Sequence, residues 1–513
     1  MPAKNSASIA CAFFLIAIPL YSQEAEFYYI KQIEISPQGR TTKSAVERAG
    51  GFKTGEQFQN KILLEQYIAQ KKQRLLNQRV LESVEITYTL DEKDSEGRQG
   101  VILFVETRDT RNFIILPEPK YSSNSGFEPA LKIRDYNFFG TMMPLKIDIG
   151  YTLDEFHIND VSKGMYSLTV EMEYPFRAAG FDWLFTDVLG LSFVTGETLS
   201  FSNFPGISVK IPVSKAFLNL SYTHGIQLGE EYYSFEKANH KNIFEPIDYM
   251  YSLPEACLNI PFVIYTEDAV WSSSAGLKAN YRLSGNSLEW RNGPSLLFKN
   301  GLGVNNVDWR GNFRSGRQIF AAVNNSYNIY FNEWQNSFEL TAVLHKTITN
   351  FFAASARFRY KHWFNDIGSG RDEDRLEAGN MLRGILDRSL TANALVSFNF
   401  DFPFRVLRFL PSEWFGAPKL RYFNFELQLS PVLDVAFGEG ERLNEEGRKI
   451  KEIKFSAEDA FVSGGMEALI FPLAFRSLFL RVSAAWNLRA AGEEGALPSG
   501  SNREIYIGLG HFY

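Results

Sequence analysis

Cysteine is almost absent: the 513 residues hold two, Cys11 and Cys257. Cys11 falls in an N-terminal segment that reads as a removable leader, which leaves Cys257 alone. The mature chain is then expected to form no intramolecular disulfide. Long apolar runs are lacking too. Outside Ile9 to Leu20, no window reaches the roughly 18 uncharged apolar residues that a spanning helix needs, which excludes a helical membrane protein. Neither sign of charge prevails: 53 Lys and Arg against 59 Asp and Glu give a net charge of −6. That leaves no basic field to hold nucleic acid. The six histidines (His157, His224, His240, His345, His362, His511) are scattered, without His-Glu-x-x-His or any pair at metal-ligand spacing. Gly-x-Ser-x-Gly and glycine-rich phosphate loops do not occur. Acidic clusters such as Asp372-Glu373-Asp374 read as solvated loop charge. The expectation is a protein that is not an enzyme, with no cofactor and no metal.

What the chain has is aromatic surface: 45 Phe, 23 Tyr and 8 Trp, 15% of all residues. So much of it calls for a large core or for lipid. At the N-terminus, Lys4 precedes the apolar run Ile9 to Leu20, and Tyr21-Ser22-Gln23 follows. A basic residue, a short apolar stretch and small or polar residues make residues 1–22 a secretory signal peptide, cleaved after Ser22. Pro19 argues against a buried core helix there.

Residues 26–108 mix helix and strand. Tyr29 to Ile35 reads as a strand. Thr42 is placed to cap a short helix that Gly50-Gly51 ends. Asn60 can cap a longer helix, Lys61 to about Gln78, with Ile62, Leu63, Tyr67, Ile68 and Leu75 at helical spacing. The alternating segments Val84 to Leu90 and Val101 to Thr107 close the unit as two strands around a polar turn.

From residue 117 to 513, strict alternation replaces helical spacing. Tyr166, Leu168, Val170, Met172 and Tyr174 oppose Ser167, Thr169, Glu171 and Glu173. Leu145, Ile147 and Ile149 oppose Lys146, Asp148 and Gly150. Phe425, Leu427 and Leu429 oppose Glu426, Gln428 and Ser430. Aromatics end the apolar faces, and no strand is apolar on both sides. A soluble sandwich would bury its apolar face; aromatic-ended apolar faces suit lipid instead. Backbone groups in lipid must all be paired, so the sheet must close. At about 25 residues per strand and connection, some 400 residues predict about 16 antiparallel strands. The fold class expected is therefore a transmembrane β-barrel preceded by one small α+β domain. On the last strand Ile505, Ile507, Leu509, His511 and Tyr513 share one face, and Gly508 and Gly510 weaken the other.

A strand-helix-helix-strand-strand unit directly before such a barrel resembles the polypeptide-transport-associated (POTRA) domain and barrel of the BamA–TamA, or bacterial surface antigen (D15), superfamily. The resemblance runs from about Phe27 to Tyr513. Tyr121 to Gly126, followed by Arg134-Asp135-Tyr136-Asn137-Phe138-Phe139-Gly140, is similar to the family's first barrel strand and Asn-x-x-Gly turn. Leu382-Arg383-Gly384-Ile385, inside the polar segment 365–388, resembles the Val-Arg-Gly-Phe/Tyr tip of a sixth extracellular loop that folds back into the barrel. About five strands follow it, as in the family. Pro431 to Gly438 resembles the Phe-x-Asp-x-Gly strand whose carboxylate, here Asp434, pairs with that arginine. Ile385 stands where the family has an aromatic and Leu382 where it has valine. The family's glutamate before Pro403 falls on Asn399, with Asp401 as a substitute. Parity agrees independently, since Asp434 shares the face of Glu426 and Gln428, and Asn399 and Asp401 share that of Ser397. A terminal alternating strand ending in an aromatic resembles the C-terminal targeting signal of outer-membrane barrels, here Ile505, Ile507, Leu509, His511 and Tyr513.

The resemblance implies insertion or assembly of outer-membrane proteins, or export of a polypeptide through the barrel; a passive porin or surface antigen is the remaining alternative. It implies an outer-membrane location with the POTRA domain in the periplasm. Partners would be the lipid bilayer, unfolded polypeptide clients taken up by strand addition along Val84 to Leu90, and accessory periplasmic proteins. The barrel seam would lie between Phe127–Asp135 and the last strand, at Gly508 and Gly510.

Overall fold

A computed structural model describes residues 27–122, 126–152, 164–194, 199–233, 243–246, 248–266, 269–285, 293–330, 332–364, 376–377, 381–385, 390–443, 449–475, 478–489 and 503–509. The expected signal peptide at 1–22, and Gly510, His511 and Tyr513, lie outside them.

The N-terminal unit runs β1 (Tyr28–Gln38), α1 (Lys43–Gly50), β2 (Gln57–Phe58), α2 (Lys61–Asn77), β3 (Leu81–Lys93) and β4 (Gln99–Asp109). Its sheet has the order β2-β1-β4-β3, with β1 parallel to β4, so β3 is an edge. The Thr42 hydroxyl accepts from the Ala45 amide at 3.2 Å, and Gly51 ends α1 in the left-handed region at φ 62°. Asn60 caps α2 by accepting from the Leu63 amide at 2.9 Å. The buried face of α2 is Leu64, Tyr67, Lys71 and Leu75. That corrects the expected face: Ile62 and Leu63 are exposed. The helix turns Lys71 inwards because its ammonium reaches the Gly51 carbonyl at 3.0 Å and lies 4.8 Å from the Tyr67 ring centre.

Eighteen antiparallel strands form the closed barrel, not the sixteen expected. They are β5 (Phe113–Ser122), β6 (Gly126–Asp135), β7 (Leu145–Thr152), β8 (Met165–Ala178) and β9 (Phe181–Val194). Next come β10 (Ser200–Asn203 and Gly206–Val213), β11 (Ala216–Leu228), β12 (Tyr249–Thr266), β13 (Ala269–Gly285) and β14 (Gly293–Arg310). Then follow β15 (Phe313–Asn328), β16 (Glu333–Thr347), β17 (Ala353–Trp363) and β18 (Leu390–Asp401 and Phe404–Phe409). The last are β19 (Phe425–Leu443), β20 (Lys449–Ile453 and Phe461–Pro472), β21 (Leu480–Asn487) and β22 (Arg503–Leu509). Two causes raise the count. Turns on the rim nearest the N-terminal unit are tight, two residues at Ala179-Gly180, Ser214-Lys215 and Gly311-Asn312. Phe113–Ser122 also pairs into the wall in spite of Pro117 and Pro119.

Alternation sorts the side chains by face. Phe113, Ile115, Leu131, Ile149, Leu277 and Phe320 are exposed outwards. Inwards, Ser397, Asn399, Glu426, Gln428, Ser430, Asp434, Glu467, Arg481 and Glu504 are buried. Aromatic belts edge both rims. Tyr151, Tyr166 and Phe193 lie towards the far rim, with ring centres 5.0 and 5.1 Å apart. Tyr174, Phe176 and Trp183 stack towards the rim nearest the N-terminal unit, at 6.4 and 6.2 Å. No helix among the described residues is long and apolar enough to cross a membrane.

The N-terminal unit bridges the barrel mouth. On one side the turn after β6 holds it: Arg48 donates to the Thr141 carbonyl at 2.7 Å and Arg40 to Asp135 at 3.0 Å. On the other side Asn77 donates to Asp308 at 3.0 Å and accepts from the Trp309 amide at 3.2 Å, while Arg79 stacks 4.0 Å from the Trp309 ring. These anchors, at the ends of β6 and β14, lie almost half the ring apart.

Candidate functional site

The chain between β17 and β18 dips into the lumen, and all five residues Met381 to Ile385 are buried. Hydrophobic packing holds this tip. Met381, Leu382 and Ile385 cluster with Leu390, Ala392 and Leu395 of β18, Ala436 of β19 and Phe461 of β20. Ile385 is 1% exposed, so a branched aliphatic fills this seat.

The apolar seat delivers Arg383 to acids. Its Nε donates to Asp434 Oδ2 at 3.0 Å and its Nη2 to Oδ1 at 2.5 Å, a two-pronged pair that fixes the plane of the guanidinium. The Arg383 backbone amide also donates to Oδ2, at 2.7 Å. Nη1 donates to Asp401 Oδ1 at 2.5 Å and stands 3.9 Å from Glu467. Side chains of Arg383 and Asp434 are each 1% exposed, so the pair is dry. Asp401, the substitute read from sequence, is therefore a partner. Asn399 is placed differently from expectation. The hydrogen bonds described for it run from Arg357 Nε at 2.9 Å and to the Met381 carbonyl at 3.0 Å. An amide can donate to that carbonyl and accept from Arg357 at once, as a carboxylate cannot. Asn399 thus steadies the loop beside Arg383.

Gly384 has φ +80°, and a Cβ there would lie 2.9 Å from the Ser463 Cβ and 3.0 Å from the Trp486 backbone. Only glycine lets the tip lie this close to β20 and β21. Its amide donates to Glu504 on β22 at 3.1 Å. From Arg383 and Gly384 together, the tip is tied to β18, β19, β20, β21 and β22 in turn. Glu467, which Arg383 only approaches at 3.9 Å, also accepts from Arg481 Nε at 2.8 Å and so meets a second cation. Sequence reading overlooked Glu504, Glu467, Arg357 and Arg481. The first two are legible as acids opposite apolar faces, Glu504 against Ile505 and Ile507. A cavity of about 30 Å³ remains beside Asp401 and Glu467. No group of His, Cys, Asp and Glu among the described residues is arranged to hold a metal ion.

The seam closes between β22 and β5, which corrects the expected pairing with Phe127–Asp135. Among the described residues its ladder consists of Ile507 with Tyr121 and Tyr506 with Ser122. It stops where Gly508 and then Pro119 come next. Proline has no N–H to give to a ladder, and glycine no side chain to pack. A Cβ on Gly508 would meet the Tyr506 hydroxyl at 2.5 Å, so the glycine makes room for that ring. Tyr506 in turn lies under Arg481, 4.7 Å away. Ile505, Ile507 and Leu509 fall in the final described strand.

The described geometry defines a class: a closed antiparallel barrel, apolar outside and charged within, with one loop folded in and a small α+β unit across its mouth. Among solved structures the chain is similar to BamA from Haemophilus ducreyi lacking POTRA domains 1–3, with 14% identity over 94% of this chain and 84% of that one, at a TM-score of 0.39. It is similar to CdiB from Acinetobacter baumannii, with 11% identity over 94% and 74% and a TM-score of 0.47. It is similar as well to CdiB from Escherichia coli, with 10% identity over 97% and 92% and a TM-score of 0.40. No protein-family model matches the sequence, and no curated protein does.

Proposed function

We propose that this chain is an outer-membrane barrel of the BamA–TamA superfamily that inserts or assembles other outer-membrane proteins, with residues 26–108 as a periplasmic POTRA domain. One observation carries the reading: the buried Arg383, held by Asp434 and Asp401, fixes a loop tip to the five strands that lead up to the seam. An outer wall with no other work would not need a desolvated charge cluster to position one loop. At its Gly508 end the seam ladder meets Pro119, which has no N–H to give, and that end offers a place for a nascent client strand to pair. In the POTRA domain, β3 pairs on one side only and offers the edge along Val84 to Leu90 for an unfolded polypeptide. The work is exchange of backbone hydrogen bonds and needs no cofactor. Accessory periplasmic proteins would meet the same domain.

A second reading, a two-partner-secretion-like polypeptide transporter, draws on a cavity of about 500 Å³ at the mouth, between Arg48 of α1 and Asp182, Trp183, Ser208 and Lys210 of the barrel wall. An extended segment fits such a passage. Reconstitution in liposomes separates the readings when two assays run side by side. Faster folding of an added barrel client assigns the insertase. Uptake of an unfolded polypeptide without faster client folding assigns the transporter. Ion conductance with neither assigns a passive porin or surface antigen.

A further inference from the structure

Most strands of this barrel that turn at the mouth do so in a few residues, but 15 residues, 410–424, join β18 to β19. Length here is not slack. The neck is tied, with the Asn424 side chain donating to the Ser412 hydroxyl at 2.7 Å and accepting from the Ser412 amide at 3.3 Å. Pro411 to Trp414 forms one helical turn and Pro418 to Phe423 a second, tighter one. The Leu473 amide, beyond β20, donates to the Asn424 carbonyl at 2.9 Å and fixes the segment to the rim.

This fixed segment presents large apolar side chains to its surroundings. Trp414 is 58% exposed, Phe415 73% and Phe423 65%. A loop meant for water has no use for three such rings, and three on one fixed segment of 15 residues call for an apolar neighbour. Direction identifies the neighbour. The Trp414 ring stands edge-on to Phe409 at 4.9 Å, and Phe409 lies tilted against Phe425 at 5.2 Å. Phe425 shares its face with Leu427 and Leu429, the lipid side of β19, while Glu426 and Gln428 point into the lumen. The exposed rings therefore continue the outer apolar wall below the last strand residue. Lys419 and Arg421 lie among them, both exposed, with Arg421 donating to the Tyr422 hydroxyl at 3.2 Å. Cations beside aromatics at one level match the phosphates and acyl boundary of a phospholipid monolayer. Tyr422 also lies 4.5 Å from Arg111, at the start of β5, so the segment reaches back beneath the seam.

We propose that residues 410–424 are a membrane foot that inserts Trp414, Phe415 and Phe423 into the periplasmic leaflet of phospholipid and seats Lys419 and Arg421 at its headgroups. The proposal rests on the outer-membrane reading above. It gives the barrel an anchor in one leaflet that does not come from its strands, set beside the wall that closes at β22.

The test uses the full chain in vesicles of phosphatidylethanolamine and phosphatidylglycerol, with Cys11 and Cys257 replaced by serine. An environment-sensitive fluorophore goes on one introduced cysteine at a time. F415C and F423C probe the foot, L277C a lipid-facing strand position, and E96C an exposed turn of the N-terminal domain. Labels at 415 and 423 should lose most of their intensity to a nitroxide placed high on the lipid chain, and be spared by aqueous iodide. The label at 96 should behave in the opposite way. If 277 answers to the nitroxide while 415 and 423 answer to iodide, the foot is refuted and the barrel stands. If 277 itself answers to iodide, the outer-membrane reading fails and takes the foot with it.

Discussion

Arg383 sits at the point where three carboxylates converge, and its neighbours decide how much that is worth. A lumen filled with water would make the pair with Asp434 weak, on the order of 1 kcal/mol. Leu382, Ile385 and Phe461 keep water out instead, leaving both side chains 1% exposed. Removing one partner then strands a buried charge, at a cost of about 3–5 kcal/mol. Arg383→Ala and Asp434→Ala should each lower the temperature at which the folded barrel opens in a detergent melt. The double variant should lose much less than the sum. Arg383→Lys should rescue poorly, since an ammonium cannot fill the two-pronged geometry. Gly384→Ala should release the loop to protease without touching a charge, because its φ of +80° and its contacts with Ser463 and Trp486 exclude a Cβ. Equal melting of Arg383→Ala and the parent chain would remove the arginine from the account. Much of this site was legible beforehand: parity placed Asp434 and Asp401 inwards, and the Arg-Gly pair supplied the cation. Asn399 was misassigned, because parity gives the face of a side chain and not which of two nearby arginines, Arg357 or Arg383, it serves.

At the scale of elements, the turn between β6 and β7 joins the two parts of the molecule. Asn137 is fully buried; its side-chain amide donates to the Thr41 hydroxyl at 2.8 Å and to Asp109 at 3.2 Å, while its oxygen accepts from the Met142 amide at 2.9 Å. A Cβ on Gly140 would come within 2.1 Å of the Arg40 carbonyl, which explains the glycine of the Asn137-x-x-Gly140 turn. Met142 leaves the barrel and packs in the domain core with Ile35, Val84 and Val105. Phe139 turns the other way, exposed beside Phe138 and Tyr174. Both residues hold φ in the left-handed region, at 49° for Phe139 and 60° for Met142, a strain that opposed anchors maintain. Met142→Ala should lose roughly 2 kcal/mol of domain stability, at the lower end for a truncated core methionine because the residue enters at the core's margin. Asn137→Ala should loosen docking, read as raised hydrogen exchange at Arg40 and Thr41 with the barrel's own exchange unchanged. Unaltered exchange in both variants would show that Asp308 and Trp309 hold the domain alone. The caps at Thr42, Gly51 and Asn60 and the alternation of the strands could be read residue by residue, because they depend on neighbours in sequence. The buried face of α2 and the eighteenth strand could not, since Lys71 turns inwards for a carbonyl 20 residues away and β5 is held by partners at both ends of the barrel.

For the whole molecule, the N-terminal unit and the barrel each close their own sheets, yet they share Met142 and two sites of contact on one rim. Closing of hydrogen bonds within each part argues that either can fold without the other. Sharing of a core residue argues that the domain normally stays where it is, across the mouth. Deletion of residues 27–108 decides how these two effects balance. The remaining barrel should still migrate faster on a detergent gel unboiled than boiled, because among the described residues its 18 strands pair only with one another. Its conductance in a planar bilayer should rise, since nothing then bridges the ends of β6 and β14. Client assembly should cease, because β3 and its free edge have gone. The three readouts fail for different reasons. Loss of the gel shift would mean that the barrel needs the domain to close, and that Met142 belongs to one folding unit. An unchanged conductance would mean that the loop tip at Arg383 restricts the lumen, and not the domain. Full client assembly by the truncated barrel would place the work at the seam between Tyr121 and Ile507 and leave the N-terminal domain without a share in it.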